Sequence, residues 1–136
     1  MRVLKSLLAV AAAVGTLLTG TTAAQAAGTG WTMTYGATQT KGAVTWTGGR
    51  TIYISGSLHA ASGLRRVCYW GVNGNYDTGN AKCHAANAGE TVTWQDDPLS
   101  INIPGGVQKV YAVLYIEDYV GVHQVWCTRA SCGTLS

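Results

Sequence analysis

Four cysteines, Cys68, Cys83, Cys127 and Cys132, follow a leader that reads as an export signal, and this pairing constrains the fold more than any other feature. Arg2 and Lys5 supply the positive start, Leu7 to Leu18 the apolar core, and Ala24, Gln25 and Ala26 an Ala-x-Ala cleavage site, so residues 1–26 are expected to be removed. The apolar run is interrupted by Gly15 and Thr16 and is shorter than the roughly 20 residues a bilayer span needs. Export delivers the thiols to an oxidising compartment, where disulfides persist. Three pairings are possible in principle. We favour Cys68 with Cys83 and Cys127 with Cys132, because each closes a short local loop. The first loop, of about 15 residues, is worth roughly 3 kcal/mol in chain entropy. A zinc site is the competing reading, but the closely spaced ligand pairs it needs are missing.

Removing 26 of 136 residues leaves about 110, enough for one domain with a single modest core. Two of the nine Lys and Arg residues, Arg2 and Lys5, go with the leader, so seven basic residues face six acidic ones. A near-neutral balance without basic clusters argues against nucleic acid as a partner, and the processed chain is expected to have no membrane anchor. The mature part is rich in Gly, Thr, Val, Trp and Tyr, with no Phe and no helical stripe, which points to strands.

Alternation recurs at intervals suited to a sandwich. Trp31, Met33 and Tyr35 alternate with Thr32 and Thr34; Val44 and Trp46, then Ile52, Ile54 and Leu58, mark two further strands. Val67 to Val72 carries Cys68 and Trp70, and Asn73-Gly74 reads as a hairpin turn. Asn73 to Asn80 reads as a polar loop leading to Cys83. Thr91 to Trp94 and Leu99 to Ile103 are two short strands separated by Asp96, Asp97 and Pro98. Val107 to Ile116 is apolar on both faces, the pattern of a central strand covered on both sides, and Val122 to Cys127 is the last strand. The expectation is a single-domain antiparallel all-β sandwich of about seven or eight strands over residues 43–136 with two disulfides, preceded by residues 27–42 as an N-terminal arm or first strand. A barrel is the alternative.

The sequence offers little catalytic chemistry. His59, His84 and His123 are scattered, and no nucleophile elbow, zinc-protease motif or phosphate loop appears. Asp96, Asp97, Glu117 and Asp118 come as adjacent pairs, which point to opposite faces of a strand and read as solvated turn residues; a glycosidase pair assembled across loops is the sharper alternative. Asn73, Asn75 and Asp77 resemble the start of a calcium loop, but His84 stands where a bidentate Glu should close it. The chain is therefore read as a non-enzyme without metal or cofactor.

Five Trp and seven Tyr are the stronger signal, because their rigid rings serve cores and interfaces alike. Trp46, Trp70, Trp94 and Trp126 lie within alternating strands and read as core filling in a chain without Phe. Trp31, Met33 and Tyr35 lie in the glycine-flanked first segment, where Trp31 and Tyr35 are the leading candidates for partner contact. Gly30 to Gly36 reads either as an arm that adds to a sheet edge or groove of another molecule, or as a strand of its own fold. The ring from Cys127 to Cys132 would hold Arg129 outward in a conformation suited to a trypsin-like surface, or act as a terminal staple.

Cys68-Tyr69-Trp70, the loop from Gly71 to Gly79, Cys83, the strand from Val110 to Tyr115 and Val125-Trp126-Cys127 together resemble the small exported β-sandwich proteins of filamentous actinobacteria. Size, leader and aromatic N-terminal segment are similar to the small adaptor subunits of umbrella toxin particles, which link a lectin-like subunit of degenerate trypsin-like fold to a large repeat-bearing toxin chain. The resemblance implies that Gly28 to Thr38 inserts into the lectin-like partner and that the chain has no activity alone. The functional expectation is a secreted, extracellular protein-interaction module, an adaptor in a toxin or antagonism complex. A carbohydrate-binding module engaging a polysaccharide is the first alternative, and a serine protease inhibitor the second.

Overall fold

The structure, a computed structural model, describes residues 28–135; the expected leader lies outside them. Ten strands form two antiparallel sheets, as the alternation predicts. The first sheet runs β1 (Gly28–Tyr35), β2 (Thr38–Thr45), β3 (Thr51–His59) and β7 (Thr91–Ser100), in that order. The second runs β10 (Cys132–Thr134), β9 (Val120–Cys127), β8 (Lys109–Ile116), β4 (Arg65–Asn73) and β5 (Tyr76–Asp77), with β6 (Lys82–Ala86) also paired to β4. Val44, Ile52, Ile54 and Leu58 from one sheet meet Val67, Val110, Ala112 and Leu114 from the other in a fully buried core.

The strand count exceeds the expected seven or eight because the expectation omits three short strands: β5, two residues within the loop read at Asn73 to Asn80, β6, five residues around Cys83, and β10, three residues at Cys132. The two strands expected on either side of Asp96, Asp97 and Pro98 are one, β7. The interruption is a bulge: Ile54 pairs Asp97 while Gly56 pairs Trp94, so β7 carries one extra residue there, and Asp96 takes a φ of 49°. Its amide donates to Ser55 Oγ at 2.9 Å. Both disulfides join the expected partners, and in each case the two cysteines stand directly opposite one another, Cys68 on β4 against Cys83 on β6 and Cys127 on β9 against Cys132 on β10.

The first segment is a strand of its own fold and not a free arm. It pairs with β2 without interruption from Gly28 opposite Thr45 to Tyr35 opposite Thr38, and Gly36 opens the two-residue turn with a φ of 61°, which glycine adopts at no steric cost. Thr29 ties its start to both sheets, since its hydroxyl accepts from Trp46 Nε1 at 2.8 Å and donates to the Thr128 carbonyl at 2.9 Å. The cause of this docking is apolar. Trp31 and Met33 are 5 % and 4 % exposed, and burial of two such side chains contributes about 3–6 kcal/mol that a detached arm forgoes.

One cross-strand row explains how so large a residue fits. Trp31 stands opposite Gly42, Gly42 opposite Gly56, and Gly56 opposite Trp94, so two indoles from the outer strands fold over two glycines of the central ones. A Cβ on Gly42 would lie 2.1 Å from the Trp31 ring, and one on Gly56 2.6 Å from Trp94. Tyr69 of β4 enters between the indoles from the opposite sheet, its ring 6.0 Å from Trp31 and 6.3 Å from Trp94.

Candidate binding face and the clasp beside it

The second face of β8 is the unexpected surface. Val110, Ala112 and Leu114 point into the core, so alternation sends Tyr111, Val113 and Tyr115 to the outer side of the six-stranded sheet. No second layer covers that side among the described residues. The expectation that β8 is covered on both faces holds only in part: β8 is central within its sheet, but its Tyr111, Val113 and Tyr115 face carries no second sheet among the described residues, with Val113 7 % exposed and the two tyrosines half-buried.

Register assembles an aromatic platform there. Tyr111 stands between Trp70 on β4 and Trp126 on β9. The Trp70 and Tyr111 rings are 5.7 Å apart at 31°, and Lys109 Nζ lies 5.6 Å from the Tyr111 centroid and 5.4 Å from that of Trp126. Trp126 rests over Gly133 of β10, where a Cβ would come within 2.6 Å of the indole. Two residues along the strands, Val113 stands beside Cys68, whose bridge to Cys83 floors the middle of the face. Two further, Tyr115 stands beside Arg66, and Tyr119 packs edge-on to Tyr115 at 5.4 Å with the Arg66 guanidinium 4.5 Å over its ring. Trp70, Tyr111, Tyr115 and Trp126 are all half-buried, and Tyr119 is exposed.

The hairpin tip next to this face carries backbone strain. Asp118 and Tyr119 both adopt positive φ, 46° and 59°, where a side-chain-bearing residue pays roughly 1–2 kcal/mol. The Arg66 contact and the Tyr115 edge hold Tyr119 in that conformation. Strain of this sort collects where a side chain must be aimed.

A second constellation lies where β4 and β6 meet β7. The Tyr69 hydroxyl donates to Asp97 Oδ2 and accepts from His84 Nε2 at 2.8 Å, while Lys82 Nζ donates to Asp97 Oδ1 at 3.1 Å. The His84 ring lies flat on Trp94, centroids 4.0 Å apart and planes 4° from parallel. Burial, reinforced by Asp97, pushes the Tyr69 phenol far above its usual range. Burial pulls His84 below its ordinary value and outweighs the opposing pull of Asp97. Burial alone would raise Asp97, but hydrogen bonds from Tyr69 and Lys82, with the Lys82 charge, hold it below the usual carboxylate range. The cluster is thus an ionised carboxylate, a neutral imidazole and a phenol that satisfy one another and lock the bulged strand β7 to the opposite sheet.

Of the residues singled out from the sequence, Trp31 and Met33 lie in the core and Tyr35 and Arg129 on the surface. Tyr35 is 42 % exposed, with Arg65 5.8 Å from its ring centroid. Arg129 folds back on its own chain, its Nη2 donating to the Thr47 carbonyl at 2.8 Å and its guanidinium 5.4 Å from the Trp46 ring centroid. Trp46 and Trp94 fill the core as expected, but Trp70 and Trp126 do not. Asp97 and His84, read as a turn residue and a failed calcium ligand, form the clasp instead. The signal for the outer face was present, because a chain of this length builds two layers, and a strand apolar on both sides then leaves one side outward.

A scan against protein-family models finds no match to this chain, and a search of curated proteins finds no relative.

Proposed function

We propose that the protein is a secreted, non-catalytic interaction module that engages a protein partner through the outer face of its six-stranded sheet, as an adaptor in an extracellular assembly. One observation carries this reading: the half-exposed row Trp70, Tyr111 and Trp126, with Lys109 among the rings, has no second sheet over it among the described residues. Tyr, Trp and Arg dominate the energetics of protein interfaces because they bury much area while losing little rotamer freedom. Both disulfides stiffen strands of the same sheet, so the platform is preorganised and little entropy is lost on docking. The export leader and the paired cysteines support an extracellular setting.

The same rings support a second reading, a module that stacks on a polysaccharide. Affinity purification of the tagged protein from culture medium, beside co-sedimentation with insoluble polysaccharides, separates the two. Trp70→Ala and Trp126→Ala should each abolish recovery of a protein partner while leaving the fold cooperative. A wild-type protein recovered as a solitary monomer overturns the interaction reading, and sedimentation with polysaccharide that is lost in Trp70→Ala transfers it to the second.

A further inference from the structure

We propose that the free edge of β1 is a second docking site, which accepts an extended, uncharged segment of a partner protein as an added strand. The edge is unusual in being undefended. Sheet edges ordinarily carry charges, proline, a bulge or simple shortness, because a row of unpaired backbone N–H and C=O groups recruits any extended chain. The edge strands β5 and β10 have only two and three residues, and β6 has five and carries Lys82 and the Cys83 bridge. The other edge of the four-stranded sheet, β7, carries Asp96, Asp97, Pro98 and the bulge, and it is clasped to the opposite sheet through Asp97. Among the described residues only β1 is an edge strand with eight residues in unbroken register, no charge and no proline, and it pairs with β2 on one side alone.

A trough runs beside that edge. Two adjoining cavities, of about 230 Å³ and 190 Å³, run between β1 and the β9–β10 border and share Thr32, Val125 and Thr134. Met33 and Val125 supply apolar surface, while Thr32, Thr34, Thr134 and Gln124 supply hydroxyl and amide groups. Neither cavity has a Lys, Arg, Asp or Glu in its lining, and His123 is the one titratable side chain there. Main-chain edge groups are complemented only by another extended main chain, and a charged side chain entering this trough would find no counter-ion. Those two facts select an uncharged extended peptide. The trough borders the outer aromatic face at Gly133, over which Trp126 lies, while Trp70 stands two strands further on.

The test uses hydrogen exchange of the whole protein with a synthetic probe, the blocked hexapeptide Thr-Val-Thr-Val-Thr-Val, beside a control in which proline replaces the fourth residue. The β1 amides should exchange about tenfold more slowly when the probe stands at roughly nine times its Kd. The proline control should leave them unchanged, as should the probe added to the Thr32→Lys, Thr34→Lys double variant, whose new charges guard the edge. Trp70→Ala should still bind the probe, which separates this site from the outer face. Absence of β1 protection, equal protection by the proline control, or protection confined to β8 and β9 overturns the proposal. Concentration-dependent protection of β1 without any peptide also overturns it, by assigning the edge to a second copy of the chain. Should the double variant not fold, the proline control decides the matter alone.

Discussion

Gly42→Ala tests whether the Trp-Gly row holds the four-stranded sheet together. The added methyl carbon would sit 2.1 Å to 2.5 Å from three atoms of the Trp31 ring, where ordinary contacts begin at 3.4 Å. The indole must retreat by more than an ångström, and Tyr69, 6.0 Å away between ring centroids, stands on its other flank. Overpacking of a filled core costs about 1–3 kcal/mol, and a fully buried clash with a rigid ring belongs near the top of that range. Alanine recovers about 0.5–1 kcal/mol of backbone entropy within a strand, so the net loss is about 2 kcal/mol. For a domain of this size that lowers Tm by roughly 8–16 °C. Gly48→Ala is the control, because its Cβ meets nothing within 4 Å and its φ is unstrained; it should leave Tm unchanged or slightly raised. In a Trp31→Leu background Gly42→Ala should become nearly neutral, giving a coupling energy of about 2 kcal/mol. Scanning calorimetry of the four proteins measures the cycle. Equal Tm for Gly42→Ala and Gly48→Ala, or full additivity with Trp31→Leu, refutes the packing argument.

Three further outcomes follow from the clasp and the strained tip. Tyr69→Phe removes the hydroxyl shared by Asp97 and His84 and should cost about 1–3 kcal/mol in urea unfolding, with unchanged ligand capture by the outer face. Stability should fall as the solution is acidified. His84 has a folded pKa below its unfolded value, so the unfolded chain takes up the proton first, and the loss begins as pH drops through about 6.5. Asp97, also depressed, adds a further loss below the ordinary carboxylate range, and His84→Gln should flatten the upper part of the Tm against pH profile. Asp118→Gly relieves a positive φ of 46° and should raise Tm by roughly 4–8 °C, equivalent to about 1 kcal/mol. A drop in Tm on that change would show that the Asp118 side chain makes a contact worth more than the strain.

Period-2 alternation made most strands readable from the residues alone, because a strand's side chains report its two faces directly, and the short loops they close made both disulfides readable. What escaped was set by partners distant in the chain. The bulge at Asp96 looks like a strand break, since Asp-Asp-Pro carries every local turn signal, and only pairing with β3 shows the chain continuing through it. Trp31 looked like a surface anchor because glycines flank it, yet the glycine that matters is Gly42, eleven positions on and directly opposite. Asp97 and His84 were separately unremarkable; Tyr69, from a third strand, gives them a common function. Tyr35 alone among the expected contact residues of β1 remains on the surface.

The five tryptophans divide by what stands beside them, and that division links fold to function. Trp31 and Trp94 face inward opposite glycines, so the sheet yields volume to receive them and they become core. Trp46 is buried with its Nε1 satisfied by Thr29. Trp126 also lies over a glycine, Gly133, but on the outer side, where the missing Cβ lets the indole lie flat along the sheet surface. Trp70 stands opposite Tyr111, its ring 5.7 Å away and tilted by 31°, and both are half-buried. Among the described residues no third layer covers these rings, and leaving them outward forfeits about 25 cal/mol for every Å² that burial would remove from water. Apolar area of this kind is retained on a surface when another molecule covers it. The inward pair therefore answers to stability and the outer row, on the proposed function, to binding, so substitutions at Gly42 and at Trp70 should separate the two properties.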